Sequence, residues 1–583
     1  MQKESKSSSK SKEGLQDDGT QKESKSSSKS KEELQNNGKQ KESKSSSKSS
    51  SKSRDGLQDG GAWAAAGFAV VLVVVGVPVW WCTTTVYRAP LPYSTIDDFA
   101  GQPNYHAVGV KLILKNSLVF STDLEKNLKN TKGVKFHISA RSPLREEHNI
   151  ISSATSIDDL DEKLTTQFPL ATGELALYVL SKTDLLDPDE NVVVGKNRII
   201  FINAGVESKL VASVLKSVVL DPLAKKRAEG GRALQELKGT HRKEAMRQIP
   251  TEPGYDVTLT LMVPEPHVIL PQWDAEKAVS DYLNPLVEQL REVAHLSVRS
   301  QVLYMSGLKV APKWSSIYHH YALPHEQLPL TINDIEAKLG SYVSTRPALH
   351  FVIYIPRENQ SPLHIHTASD KPLSTNSFLV PRWGGVLIHN CGKPSANASL
   401  PQRVALDSHW IMNVVLSHLH KLLPIPSLLD REEGVRELLP DFSSELALWK
   451  VDGLARARVT SYLNNIRITL QSLCELVGEI SNMVISDEVG AWVWGAVEEW
   501  GECGTAAREG RLKEATIYCS RSFAQADAAF FHPSMLALLY FPDNQKYAIY
   551  VPLFLPVSIP VILSLRMVFK LFRKEKTVIE KEN

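Results

Sequence analysis

The 583-residue chain is poor in cysteine, with five in all. Cys82 stands apart, and Cys391, Cys474, Cys503 and Cys519 are spread through a long stretch, too sparsely for a disulfide-built scaffold. One bridge among Cys474, Cys503 and Cys519 would suit an oxidising compartment; buried free thiols are the expected state. Net charge is lacking too. The 67 basic and 65 acidic side chains leave +2, which exerts no pull on a polyanion such as nucleic acid. Catalytic signatures are also missing. There is no GxGxxG, P-loop, HExxH or GxSxG, so no cofactor and no metal is called for by motif.

What the chain does have is two uncharged apolar runs. Ala62–Trp81 reads AWAAAGFAVVLVVVGVPVWW, and Tyr547–Leu565 reads YAIYVPLFLPVSIPVILSL. About 20 such residues cross a bilayer as a helix, so transmembrane helices are expected over 62–82 and 547–568. Basic residues sit outside the pair: Lys44, Lys48, Lys52 and Arg54 before it, and Arg566, Lys570, Arg573, Lys574 and Lys576 after it. The positive-inside rule then puts both termini in the cytosol and the intervening domain across the membrane. No small-residue cleavage site follows Trp81-Cys82, which argues for an anchor over a removed signal peptide. Pro552, Pro556 and Pro560 recur every four residues in the second run. Each removes a backbone hydrogen bond, and the lesions align along one side of a helix. That side is a candidate seam for partner helices, with a simple kinked anchor as the equal alternative.

Residues 1–61 repeat a Lys/Ser-rich unit, Gln2–Thr20 recurring as Gln21–Lys39. With almost nothing apolar, the unit cannot bury a core and is expected to be a disordered cytosolic tail, matched by a short tail at 569–583. Between the runs, strand-like segments alternate with helical ones. Gly109–Leu114, Leu175–Leu180, Arg198–Ile202, Asp256–Val263, Ser297–Met305, Leu349–Ile355 and Gly385–His389 look extended; Val206–Leu220 and Asp274–Leu296 look helical. The alternation predicts an α/β region over 83–400. Beyond it the texture turns helical. Leu463, Ile466, Leu470, Leu473, Val477, Ile480 and Val484 step by three and four, a buried stripe, and helical patterns continue over Glu488–Trp500 and Arg511–Phe530. A helical region is therefore expected over 401–546.

Few residues suggest chemistry. His364 and His366 share one face of an extended run, but zinc needs three or four ligands and nothing is spaced to complete the set, so two outward polar positions are expected. His319-His320 and His418-Leu419-His420 are equally bare. His389 beside Cys391 suggests a thiol nucleophile, which would need a stabilised thiolate and an oriented base. Two N-x-[ST] sequons agree with a luminal domain: Asn397 in a Pro- and Ser-rich loop, and Asn359, weaker because Pro362 follows its Ser361.

Three unusual motifs occur in order: Trp80–Thr84 with Tyr87-Arg88-Ala89-Pro90-Leu91-Pro92-Tyr93-Ser94, then Pro381-Arg382-Trp383-Gly384-Gly385, then Leu539–Lys546 running into Tyr550–Pro556. Over about 62–570 the chain resembles the PIG-S family, phosphatidylinositol-glycan class S subunits of the GPI transamidase. The resemblance implies a non-catalytic scaffold subunit in the endoplasmic reticulum membrane, with a mixed α/β and helical luminal domain. It implies a complex that cuts a C-terminal signal from a precursor and joins the new carbonyl to the ethanolamine of a GPI lipid. The nucleophilic cysteine would lie in a PIG-K partner, with PIG-T, PIG-U and the GPI-attachment protein completing the assembly. The other readings are a membrane-anchored luminal hydrolase or transferase using Cys391 and His389, and a lipid-binding module.

Overall fold

The strand-like runs assemble into two separate, mostly parallel sheets. The computed structural model describes residues 64–573 except 220–242, 536–547 and stretches of at most six residues. Trp81–Leu553 form one compact unit, and the segments ending at Trp80 and starting at Phe554 form a second.

The first sheet contains β1 (His106–Ile113), β2 (Val134–Arg141), β3 (Leu175–Leu180), β4 (Val192–Val194), β5 (Ile199–Asn203) and β16 (Val435–Glu437), in the order β16-β4-β5-β3-β1-β2. All neighbours pair parallel except β4 with β5. Parallel strands need helices on both faces, which is why the central strands β3, β4 and β5 read as near-continuous apolar runs. After α1 (Tyr93–Ala100), which lies outside this layer, α2 (Leu118–Leu128) and α5 (Ser208–Val219) cover one face, and α3 (Arg145–Ser153) and α4 (Ile157–Gln167) the other.

The second sheet contains β6 (Gly254–Val263), β8 (His295–Tyr304), β11 (Ala348–Tyr354), β13 (Ser377–Val380) and β14 (Gly384–Ile388), in the order β13-β14-β11-β6-β8. Only β13 with β14 is antiparallel. One face carries α6 (Leu328–Lys338) and a small sheet of β9 (Lys313–Ser315), β10 (His320–Leu323) and β12 (Leu363–Ile365). The other carries α7 (Ser408–Leu422) and a helical stretch 275–290 that contains a π turn at Val279–Leu283. The amphipathic pattern expected to run to Leu296 stops earlier, because His295 and Leu296 already belong to β8. A short parallel pair, β7 (Ile269–Gln272) with β15 (Gln402–Ala405), lies beside this sheet in the sequence order.

The helical region consists of α8 (Leu448–Glu479), α9 (Asp487–Glu509) and α10 (Leu512–Phe530). Leu463, Ile466, Leu470, Leu473 and Val477 are buried as the stripe predicts. The stripe ends there: α8 terminates at Glu479, and Val484 is exposed. The free-thiol expectation is overturned. Cys503 on α9 and Cys519 on α10 form a disulfide, their Cα atoms 5.2 Å apart because the two helices fold back as a hairpin; Cys474 stays free.

The apolar runs are helical at their described residues. Around the first, a π turn at Leu72–Gly76 separates Val77–Thr84 from the preceding turns. Among the described residues no helix is long and apolar enough to cross a membrane. Phe68, Val70, Val71, Val73, Val74, Val75, Val77 and Val79 are nonetheless exposed. In the terminal unit the Trp80 and Phe554 rings meet edge to face at 6.2 Å.

Candidate binding cleft

The segment after the first apolar run does not join the nearest sheet. Arg88 donates from Nε to Met483 O (3.2 Å) and from Nη2 to Ile480 O (2.5 Å), satisfying carbonyls past the end of α8. Ala89 N donates to Ile485 O and Ile485 N to Tyr87 O, a one-rung strand pairing, while the Tyr87 hydroxyl donates to Asp487 (2.5 Å). The Tyr87–Ser94 motif is thus a clip onto the α8–α9 junction. It delivers α1, which buries Ile96 fully and packs along α8 and α9.

Helix α9 is well specified locally. Ser486 caps its N-terminus by accepting from Val489 N (3.3 Å), Asp487 and Glu488 complement the dipole, and Gly510 closes it in the left-handed conformation at φ +82°. Inside the helix, Gly501 departs from good helix chemistry, a glycine costing ~1 kcal/mol against alanine. Its reason is space: a Cβ at Gly501 would stand 3.2 Å from the Phe99 ring of α1.

Between α1 and α9 lies a cleft of about 550 Å³, within the range of roughly 300–1,000 Å³ typical of small-ligand sites. Phe99 and Trp500 form its aromatic floor, edge to face at 5.4 Å. Trp494, half exposed, is fixed by its indole N–H donating to Pro90 O (3.0 Å). Glu498 and Glu502 follow at helical spacing, both exposed, and neither has a hydrogen-bond or ion-pair partner among the described residues. Like charges so placed repel by ~0.2–0.5 kcal/mol. At the far end Arg508 donates to Gln102 Oε1 (3.3 Å) and Thr505 Oγ1 (3.1 Å), both neutral acceptors. The cleft therefore presents two carboxylates, an aromatic face and a guanidinium without a carboxylate partner among the described residues. The step of four along Trp494, Glu498 and Glu502 was visible in the sequence; the α1 wall that makes it a cleft was not.

The residues singled out by motif fare differently. Cys391 packs against the core of the second sheet, and burial pushes its thiol up to about 11. His389 is held below the usual imidazole range, chiefly by burial, and its ring lies against Trp410. A thiol kept protonated is the opposite of what a nucleophile requires. His366 is not an outward position: it is buried, its Nε2 2.8 Å from that of His320 and its Nδ1 2.7 Å from Asp370, and the His320 and His364 rings lie 4.4 Å apart. Strand β10 brings in His320, which sequence spacing could not show. Among the described residues no group of three such side chains is arranged to hold a metal.

Asn359 is exposed in a 3-10 turn, Glu358–Gln360, beside a buried Ser361; Asn397 lies outside the described residues. Pro552, Pro556 and Pro560 are helical and exposed. The Pro381–Gly385 motif is a packing device. Arg382 takes a positive φ, Gly384 passes so close to the His350 carbonyl that a Cβ would collide with it, and Gly385 leaves room for the His418 ring.

The family model described as "PIG-S: Phosphatidylinositol-glycan biosynthesis class S protein" matches residues 67–575. The chain is 35% identical over 542 residues to the human protein named GPI-anchor transamidase component PIGS, covering 88% of this chain and 96% of that one. Its mouse counterpart is 34% identical over 539 residues, with 87% and 94% covered. A Schizosaccharomyces pombe protein named GPI transamidase component PIG-S homolog is 27% identical over 490 residues, covering 83% and 79%.

Proposed function

Because the chain belongs to the PIG-S family, we propose that it works as a non-catalytic scaffold in the GPI-anchor transamidase, holding partner subunits and substrate beside the membrane. It is a component of that complex, and the observation that carries this is the family match over nearly all of the chain between and including the apolar runs. The scaffold role is supported by the environment of the one candidate nucleophile. Cys391 is half-buried, burial pushes its thiol up, and among the described residues no base is hydrogen-bonded to it.

In this reading the complex resides in the endoplasmic reticulum membrane. Helices formed by the two apolar runs anchor the chain in the lipid, with both termini cytosolic and the unit between them luminal. The supporting features are the basic flanks, the exposure of apolar side chains around the first run, and a disulfide suited to an oxidising compartment. The partners are a caspase-like PIG-K subunit carrying the catalytic cysteine, with PIG-T, PIG-U and the GPI-attachment protein. The test is purification of the tagged chain from membranes in mild detergent, followed by mass spectrometry. Recovery with a PIG-K-like protein is the expected result. A chain that runs alone as a monomer under those conditions overturns the proposal.

A further inference from the structure

The cleft between α1 and α9 has a chemistry that the scaffold role leaves unused. Glu498 and Glu502 are exposed, one helical turn apart next to the fixed indole of Trp494, and among the described residues neither has an ion-pair partner. A primary ammonium satisfies this arrangement best: it donates to two carboxylates at once and lies favourably over an indole face. At the other end, Arg508 is steadied by two neutral oxygens, and among the described residues it has no carboxylate partner. A guanidinium in that state suits an oxyanion with several acceptor oxygens, and phosphate matches its fork. The two ends belong to a single cavity of about 550 Å³, floored by Phe99 and Trp500. A free metal cation fits poorly, because aromatic rings and a guanidinium occupy the remaining wall.

We propose that this cleft binds a phosphate ester carrying a primary amine, with the ammonium between Glu498, Glu502 and Trp494 and the phosphate on Arg508. The inference rests on the proposed function and deepens it. A transamidase replaces the amine side of an amide bond, so one of its substrates must present an amine. A phosphatidylinositol-based anchor carries phosphate. A component that grips such a head would hold the amine donor on the non-catalytic subunit. An ordinary phosphatidylethanolamine head offers the same chemistry, and the two sources are separable.

The experiment uses the full chain in detergent, or its purified complex, with O-phosphoethanolamine as probe and phosphorus NMR as readout. Saturable binding is expected, with ethanolamine alone and inorganic phosphate each at least about tenfold weaker, since each keeps only one of the two charge-assisted contacts. Glu498→Gln with Glu502→Gln should weaken the probe about tenfold while leaving inorganic phosphate unchanged, and Arg508→Gln should weaken both. Arg508→Gln also removes contacts to Gln102 and Thr505, so a loosened α1 could mimic the loss. The double glutamine variant alters only exposed, unpartnered carboxylates and keeps the test decisive. Competition by phosphatidylethanolamine bicelles identifies the bilayer lipid as the source; its absence identifies a head presented away from the bilayer. No saturable binding, or equal binding by the double variant, overturns the proposal. Partner recovery with that variant is read in parallel, so a failed cleft is distinguishable from a failed assignment to the complex.

Discussion

His106, His418 and His420 are enclosed by the fold, and their imidazoles are held neutral with pKa values near 4. Burial is the main cause in each case, reinforced by Arg456, Lys421 and Lys450 respectively. Unfolding returns each to the ordinary imidazole value of 6.5, so the unfolded chain takes up protons first as pH falls. The stability these groups support is fully present above pH 6.5 and is lost progressively down to about pH 4, by roughly 1–3 kcal/mol each. A thermal-unfolding series should show a level midpoint above pH 7 and a steep fall over that window, less steep in His106→Gln; a midpoint that rises with acid would contradict it. None of this was legible from sequence. His418 reads as a bare side chain because its ring is enclosed against Gly385, 33 positions earlier in the chain. Cys391 shows the same limit from the other side. Adjacency to His389 suggested reactivity, whereas partial burial pushes the thiol up to about 11, away from the thiolate.

Elements were more legible, because their signals are local. The apolar steps of α8, the strand-length runs of β3, β5 and β11, and the helical pattern of α10 each lie within one continuous segment, over which side-chain period reports burial. Their ends were less so: α8 stops before Ile480, where the Arg88 clip takes over the terminal carbonyls. Pairing of α9 with α10 depends on the turn at Gly510, and that turn brings Cys503 opposite Cys519 across 16 positions. Closing so short a loop restricts mainly the unfolded chain. Replacing both cysteines by serine should therefore lower unfolding stability by roughly 2–4 kcal/mol, measured by denaturant titration, and reduction should have no further effect on the variant. An unchanged midpoint would mean that the hairpin packing alone holds the pair. At the same scale, the prolines of the second run belong to one helical segment but have two readings. Triple substitution of Pro552, Pro556 and Pro560 by Leu restores the missing backbone donors. If they form a partner seam, co-purification of the complex should fall while membrane insertion persists; full assembly would leave them as kinks.

Across the whole molecule, α8 is the element that ties the parts together. Near its start, Trp449 packs into the core of the first sheet, and Asp452 accepts a two-pronged contact from Arg198 at 2.6 and 2.9 Å and a bond from Gly173 N. Arg456 donates to Gly173 O, and two residues later Arg458 reaches the Val293 carbonyl beside the second sheet. Farther on, Leu463 to Val477 join the second sheet's core, and the Arg88 clip closes on the residues just past its end. Buried charges of this kind are costly unless every partner is in place, so they specify one arrangement of helix and sheets. Composition and local periodicity by themselves determined the two apolar runs, the polar tail, the α/β-then-helical order and the lack of a motif-borne active site, because those properties are set by neighbours in the chain. Which strands share a sheet, that α1 leaves the strands for the helices, that Cys503 meets Cys519, and that Trp494, Glu498, Glu502 and Arg508 line one cleft were decided only by the tertiary structure. The partners in these contacts lie as far apart as 406 residues, and only packing of the whole chain brings them within bonding distance.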